Sequence, residues 1–386
     1  MNTLKKFYIS FIFIILILSI IVFYYGATND NGTVGSMYRN DYGRTGDYSP
    51  YDIKGTKNIK WIYNTKSKVD VSIIHNEDKL YFVDKNSTFY CLDAKTGKEI
   101  WKNEMKEYYS GSSAVVYKDM VIYNGGKLIA FNKYNGKLLW ESNNGPYVYG
   151  EPIVVNDKIY VNTWPEIPEQ QNYLYCFDVN TGKILWQHEN GEGAACTESS
   201  AYSDGILYYG LVDGNFYAFN VNSKKVIWKI NFDTYNFKIP MIFKDKIILF
   251  YSPKYSKTTY DFNLVILDKK NGSIIYENEI KGCAVNCCIK NYYLFMPKLN
   301  GEIDVCNLNN FELKTFKIFN KRLSNIIVTE NFLYIKSLSN ILKFSIVDYK
   351  LMWEFSIVNV MLENDPILIN NILLLTTSKN QIYAIE

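Results

Sequence analysis

The phrase CFDVNTGKILW, residues 176–186, decides the fold, because it recurs. Upstream stand CLDAKTGKEIW (91–101) and AFNKYNGKLLW (130–140). Downstream stand AFNVNSKKVIW (218–228) and ILDKKNGSIIY (266–276), then two worn copies, VCNLNNFELKTF (305–316) and KFSIVDYKLMW (343–353). Apolar residues alternate along each copy, as Tyr175, Phe177 and then Ile184, Trp186 do, which suits half-buried strands. Between the two runs sits Thr-Gly or Asn-Gly. A two-residue turn needs φ > 0, which glycine adopts without steric penalty. The phrase therefore reads as strand, turn, strand. Recurrence at about 40-residue spacing marks a β-propeller rather than a solenoid.

Eight residues mark the ends of the repeats: Trp61, Trp101, Trp140, Trp186, Trp228, Tyr276, Phe316 and Trp353. Two further strands precede each later phrase. In the third unit they are 152–155 and 158–162, split by a turn at Asn156-Asp157. Each blade thus has four antiparallel strands, A to D from the axis outward. The last unit holds strands at 366–369, 372–376 and 381–386, and then the sequence ends. It lacks strand D. The orphan strand NIKWIY (58–63) has the tryptophan of the repeat and supplies the missing one. The expected fold is all-β, an eight-bladed propeller closed by pairing the two ends of the repeat region, which removes a sheet edge. Seven blades are the alternative, because the copy ending at Phe316 is degenerate.

Charge is nearly balanced at +3 over 386 residues, which argues against a nucleic-acid surface. Seven cysteines is an odd number, so at least one is unpaired within a monomer. Lys5 and Lys6 precede an apolar run, 7–25, which spans roughly 28 Å as a helix and reads as a transmembrane signal anchor. The lysines place residues 1–6 in the cytoplasm and the rest outside the cytoplasmic membrane. A cleaved signal peptide is the competing reading, although Tyr25-Gly26-Ala27 is a poor small-x-small site. No lipobox cysteine follows the run. Residues 26–37 read as a flexible tether, and the propeller occupies 38–386.

At this point the sequence resembles the PQQ-binding-like β-propeller repeat family. The matching phrase is A-x-D-x-x-T-G-K-x-x-W, at 91–101, 130–140 and 176–186. Arg39-Asn40-Asp41, Arg44-Thr45-Gly46 and Ser49-Pro50 look like the family's lead-in. The resemblance covers residues 38–386. It implies that the blade tryptophans dock on the peptide plane near the glycine of a neighbouring repeat, which suits Trp101, Trp140 and Trp186. The departures at Tyr276, Phe316, Ser223-Lys224 and Asp348-Tyr349 imply looser girdling in the C-terminal half. The resemblance also offers two functions. Quinoprotein dehydrogenases hold a quinone on the axis with calcium and a vicinal disulfide. The lipoprotein scaffold of the outer-membrane β-barrel assembly machinery is of similar size and has no chemistry, but this chain lacks its lipobox.

Candidate sites follow from the register. Cys287-Cys288 falls at the start of an inner strand, where successive side chains point to opposite faces, which disfavours a vicinal bridge. Cys283 is the better partner, if any pair exists. Cys91 and Cys176 stand where other copies have alanine, so they read as small buried side chains. Two histidines, His75 and His188, give little support for a metal site or a catalytic triad. No catalytic or metal residue is assigned.

The D–A and B–C loops share one face, and that face is aromatic. It carries Tyr108, Tyr109, Tyr147, Tyr149, Trp164, Tyr235, Tyr255 and Tyr260, a pattern suited to a protein or glycan contact, or to ordinary loop packing. The residue before each inner strand gives a polar mouth ring: Asp70, Ser113, Glu151, Ser199, Ile239, Asn286, Asn325 and Asp365. It suits a cation, a polar ligand or ordered water. The reading is a membrane-anchored, extracytoplasmic, non-enzymatic binding or scaffolding module of the cell envelope. No cofactor is expected. A PQQ- and calcium-dependent dehydrogenase and a glycan-binding envelope sensor are the alternatives.

Overall fold

The computed structural model describes residues 37–53, 57–69, 71–105, 112–142, 148–163, 171–192, 198–254, 260–284 and 286–386. The apolar run expected to form a membrane helix, and the tether before Met37, lie outside the described residues. No helix among the described residues is long and apolar enough to cross a membrane.

Eight separate antiparallel sheets form the blades. Blade 1 comprises Ile74–Asn76, Lys79–Val83, Thr88–Asp93 and Glu99–Glu104, and its neighbours repeat that order. The degenerate copy also builds a full blade, Cys288–Lys290, Tyr293–Pro297, Glu302–Asn307 and Leu313–Lys317, so the count is eight rather than seven. Blade 5 adds a short strand, Asn236–Phe237, beside Lys246–Ser252. Blade 8 is the composite inferred from the sequence. Ile59–Asn64 pairs antiparallel with Gln381–Ile385, setting Trp61 opposite Ala384. Asn58 and Glu386 exchange backbone hydrogen bonds of 3.1 and 3.0 Å. The inner strands A to C are buried on both faces, as in Thr88–Asp93, whereas strand D is largely exposed. This explains why strands B and C read as nearly continuous apolar runs.

The turn of the repeated phrase differs from the two-residue turn expected. In blade 1, Asp93 N donates to Lys98 O and Gly97 N donates to Asp93 O, so residues 94–97 form a longer loop. The aspartate is the reason. Its Oδ1 accepts from Thr96 N at 2.8 Å and from Thr96 Oγ1 at 2.7 Å, an Asx turn that favours the wider connection. The seventh position of the phrase is left-handed in every copy, with φ from 55° at Tyr349 to 74° at Gly272.

That position receives the ring of the preceding blade. Trp61 lies on Gly97, Trp101 on Gly136, Trp140 on Gly182 and Trp228 on Gly272, so closely that a Cβ on these glycines would meet the indole at 2.4–2.7 Å. Each indole Nε1 donates to a carbonyl of the next blade: Ala94, Lys133, Val179 and Lys269 respectively. Where glycine is absent, a side chain takes its place. Lys224 sets its ammonium 5.8 Å from the Trp186 ring. Tyr276 stacks on Phe311 at 5.2 Å, and Phe316 packs on Tyr349 at 4.4 Å. The C-terminal girdle is therefore differently built, with ring-on-ring contacts in place of an indole on glycine.

Candidate functional site

Seven of the eight ring positions are described, and all seven line one polar cavity of about 270 Å³ at the mouth of the axis. Ser113, Ser199, Ile239, Asn286, Asn325 and Asp365 meet there because each stands one or two residues ahead of an inner strand, whereas Glu151 lies within its own, Val148–Val155, which starts earlier than expected. Asp70 lies outside the described residues. Asp365 is held by Asn286 Nδ2, which donates at 2.9 Å, and by Asn325 Nδ2. Glu151 accepts from the hydroxyls of Ser113 and Ser199, and its own N–H donates to Ser199 Oγ at 2.8 Å. Glu198 and Glu363 complete an acidic wall, paired outward with Lys238 at 3.2 Å and Lys68 at 2.8 Å.

The structure adds what no repeat foretold. The lead-in segment, residues 38–53, threads the axis and fills it. Tyr38 lines the mouth, and its hydroxyl points at Asp365 Oδ2 at 3.5 Å. Arg39 Nη1 lies 3.7 Å from Asp365, and Arg39 Nη2 donates to Cys287 O. Arg44 is fully buried and donates to Tyr38 O and Ser200 O, at 2.8 and 3.3 Å. Deeper down, the strap runs along the inner strands of four successive blades. Tyr202 N, Ile242 N, Ile289 N and Val328 N donate to the carbonyls of Tyr42, Gly43, Thr45 and Gly46. Asp52 and Ile53 then accept from Lys343 Nζ, both at 2.8 Å, on the way to the outer strand of blade 8. The strap thus satisfies inner-strand N–H groups that would otherwise face the axis.

Burial sets the electrostatics of this plug. It raises Glu151 above the usual carboxylate value, against the pull of Arg44. It lowers Arg44, whose Nη2 has no hydrogen-bond partner. Burial also acts to lower Arg39, but Tyr38 and Asp365 outweigh it and raise the guanidinium overall. Tyr38 is pushed well above its ordinary value, first by burial and then by Asp365. The phenol therefore stays protonated beside the carboxylate.

The aromatic face is described only in part. Tyr235 and Tyr260 are exposed at 57% and 39%. Lys254 caps the first ring at 4.5 Å, and Arg322 lies 5.1 Å from the second while donating to its hydroxyl. Tyr108, Tyr109, Tyr147, Trp164, Tyr255 and the side chain of Tyr149 lie outside the described residues. Cys287 and Cys288 are buried free thiols, and Cys283 Sγ is 3.9 Å from Cys287 Sγ. Cys91 and Cys176 are buried, and burial pushes each thiol up to about 12. His75 and His188 lie within strands Ile74–Asn76 and Ile184–Glu192. Among the described residues no group of three or more His, Cys, Asp and Glu is placed to hold a metal ion.

Both kinds of relative that the sequence suggested are among the matches, together with a tetrathionate hydrolase. A BamB, an outer membrane protein assembly factor, from Shewanella oneidensis is 23% identical over 218 residues, covering 51% of this chain and 54% of that protein. The chain spans about half the length, or less, of the curated relatives it matches. The structure of BamB from Moraxella catarrhalis superimposes with a TM-score of 0.58 at 18% identity, over 72% of this chain and 83% of that one. Quinohemoprotein alcohol dehydrogenase ADHIIG from Pseudomonas putida HK5 superimposes with a TM-score of 0.71 at 12% identity, over 92% and 80%. At these identities the structural likeness shows the fold alone. The model of the family described as outer membrane protein assembly factor BamB matches residues 56–166, 85–236 and 170–285, more than half of the chain. The chain belongs to that β-propeller family.

Proposed function

We propose that this propeller is a non-enzymatic protein-binding or scaffolding module of the cell envelope. The observation that carries this reading is the plugged axis. In a propeller the mouth of the axis is where a small ligand would be gripped by all blades at once. Here Tyr38 of the same chain lines the mouth and narrows it, and Arg39 and Arg44 are buried along the axis, with Arg39 tied to Asp365. The residues left around the opening do not fit pyrroloquinoline quinone. That cofactor is a tricarboxylate, and the wall it would face holds Glu151, Glu198, Glu363 and Asp365. Nor is a vicinal disulfide formed, since Cys287 and Cys288 are free. The kinship with an outer membrane protein assembly factor supports a protein partner, and exposed Tyr235 and Tyr260 offer side chains suited to one. The apolar run at 7–25 would anchor the module from the cytoplasmic membrane, with the propeller outside.

The test is a titration of the purified full chain with pyrroloquinoline quinone and calcium, following the quinone absorbance and Tm. The expected result is no saturable change. One-to-one binding with stabilisation would overturn the scaffold reading in favour of a dehydrogenase. A photocrosslinker at Tyr235 or Tyr260 is expected to trap an envelope protein in the native host. The same crosslinker at Lys314 on an outer strand is expected to trap none.

A further inference from the structure

Cys283 and Cys287 stand in the connection between the outer strand of blade 5, Ile274–Ile280, and the inner strand of blade 6, Cys288–Lys290. Their Sγ atoms are 3.9 Å apart, and both residues are 0% exposed. A disulfide would bring the two sulfurs to about 2 Å, a closing movement within the reach of side-chain rotation.

Register excludes the other thiols. Cys288 follows Cys287 along the chain and so points to the opposite face. It packs with Phe295 and Val305, and its Cβ lies 3.3 Å from where a Cβ on Gly46 of the strap would stand. Cys287 shares with Cys283 the cluster that holds Leu264 and Met296. Cys306 belongs to that cluster too, but it stands opposite Leu294, whereas Cys283 bridges to Lys298. Those two levels are roughly 13 Å apart along the strand. Cys91 and Cys176 lie in other blades.

The connection that the pair brackets is a wall of the mouth. Asn286 Nδ2 donates to Asp365 of blade 8 at 2.9 Å, and Ile326 N of blade 7 donates to Asn286 O at 3.3 Å. The carbonyl of Cys287 accepts from Arg39 of the strap. At the other end Cys283 N donates to Tyr260 O at 3.0 Å, and Ala284 N to Pro297 O at 2.8 Å. A covalent link between the two cysteines would therefore hold a junction of three blades and the strap.

We propose that Cys283 and Cys287 form a disulfide that staples this wall of the mouth, closed during folding by exchange with a donor disulfide such as oxidised glutathione. One cysteine thiolate attacks the donor and releases one thiol. The second attacks the mixed disulfide and releases the other. Two electrons and two protons leave the cysteine pair and end on the two released thiols. Exchange needs a thiolate and access to it. The folded chain grants neither, because both residues are buried, and the hydrogen bond to Cys287, with burial second, raises the Cys283 thiol well above its ordinary value. The bridge therefore closes before the core does and afterwards resists reduction. The inference is independent of the protein-binding reading.

Mass analysis of the full chain tests it. The purified protein, in detergent, is unfolded with reductant and refolded in a glutathione buffer rich in the oxidised form. Native protein equilibrated with the same buffer below its Tm replaces any preparation that does not regain a cooperative melt. Free thiols are blocked with iodoacetamide under denaturing conditions. Trypsin, cutting after Lys281 and Lys290, then releases GCAVNCCIK, residues 282–290. This fragment is expected to lack two hydrogens and to carry a single alkyl group, placed by fragmentation on Cys288. Cys288→Ser is expected to keep the bridge and Cys283→Ser to lose it. The bridged chain is expected to melt about 3 °C above the reduced one. Its Cys283 and Ala284 amides are expected to exchange about tenfold more slowly. The proposal is overturned if all three cysteines are alkylated or carry glutathione, or if the alkyl group sits on Cys283 or Cys287. It is also overturned if the bridged chain melts no higher than the reduced one.

Discussion

The girdle of blades 1 to 3 and the girdle of blades 6 and 7 solve one geometric problem with different chemistry. In both, a residue at the seventh position of the repeat is left-handed and receives a ring from the blade before. At Gly97, Gly136 and Gly182 the indole lies on bare backbone and its Nε1 reaches a carbonyl. At Phe311, φ 61°, and Tyr349, φ 55°, a side chain stands in the way and stacks instead. The second solution keeps the contact but gives up the indole hydrogen bond, and it strains two non-glycine residues by about 1 kcal/mol each. The lesson is that a degenerate repeat conserves a backbone conformation after its residue has changed.

Truncating a ring should separate the two halves most. Trp101 is nearly buried, so Trp101→Ala is expected to cost about 4 kcal/mol. Phe316→Ala, on a half-buried ring, should cost about 1–2 kcal/mol. Chemical denaturation of both variants measures the gap, and equal losses would erase the distinction.

The glycine itself can be challenged next. A Cβ at residue 182 would lie 2.4 Å from Trp140 Cε3, at φ +65°. Gly182→Ala is expected to cost about 3 kcal/mol, part conformational and part overpacking. Gly282 has a similar φ, +67°, but nothing within 4 Å. There the same substitution should cost only about 1 kcal/mol, the conformational part alone. If the two costs match, the indole contact carries no energy.

Acid should open the better-girdled half first. His75, in the inner strand of blade 1, is buried, and that burial lowers it from 6.5 to about 4. Its folded-state value is depressed. The stability tied to its neutral form is thus complete above the ordinary histidine value and drains away as pH falls toward 4. The loss should reach roughly 3 kcal/mol, and His75→Leu should flatten it. Hydrogen exchange at low pH is expected to show blade 1 loosening before blade 6. The reverse order would tie local stability to the girdle alone.

The smallest effect sharpens the comparison most. Tyr276→Trp with Phe311→Gly should rebuild the N-terminal contact between blades 5 and 6. A double-mutant cycle is expected to give favourable coupling of about 1 kcal/mol, the worth of the restored indole hydrogen bond. Zero coupling would mean that the ring-on-ring contact is the equal of the indole on glycine.

Much of the candidate site was legible because it depends on register. Glu151, Asn286, Asn325 and Asp365 converge since each lies within or just ahead of an inner strand, and strand phase can be counted along a repeat. The strap was not legible. Residues 38–50 have no hydrophobic period, and Arg39 and Arg44 would ordinarily be assigned to the surface. Their partners, Asp365, Cys287 and Ser200, are distant in sequence and are defined only once the axis exists.

The sequence by itself determined the repeat, the eight blades and the closure of blade 8 by Ile59–Asn64. Strand period and turn chemistry are local properties written every two residues and every forty or so. Only the tertiary structure decided what fills the axis. A channel through a propeller belongs to no single blade, and whichever segment satisfies its inward-facing backbone groups is selected by shape and hydrogen bonding across the whole ring.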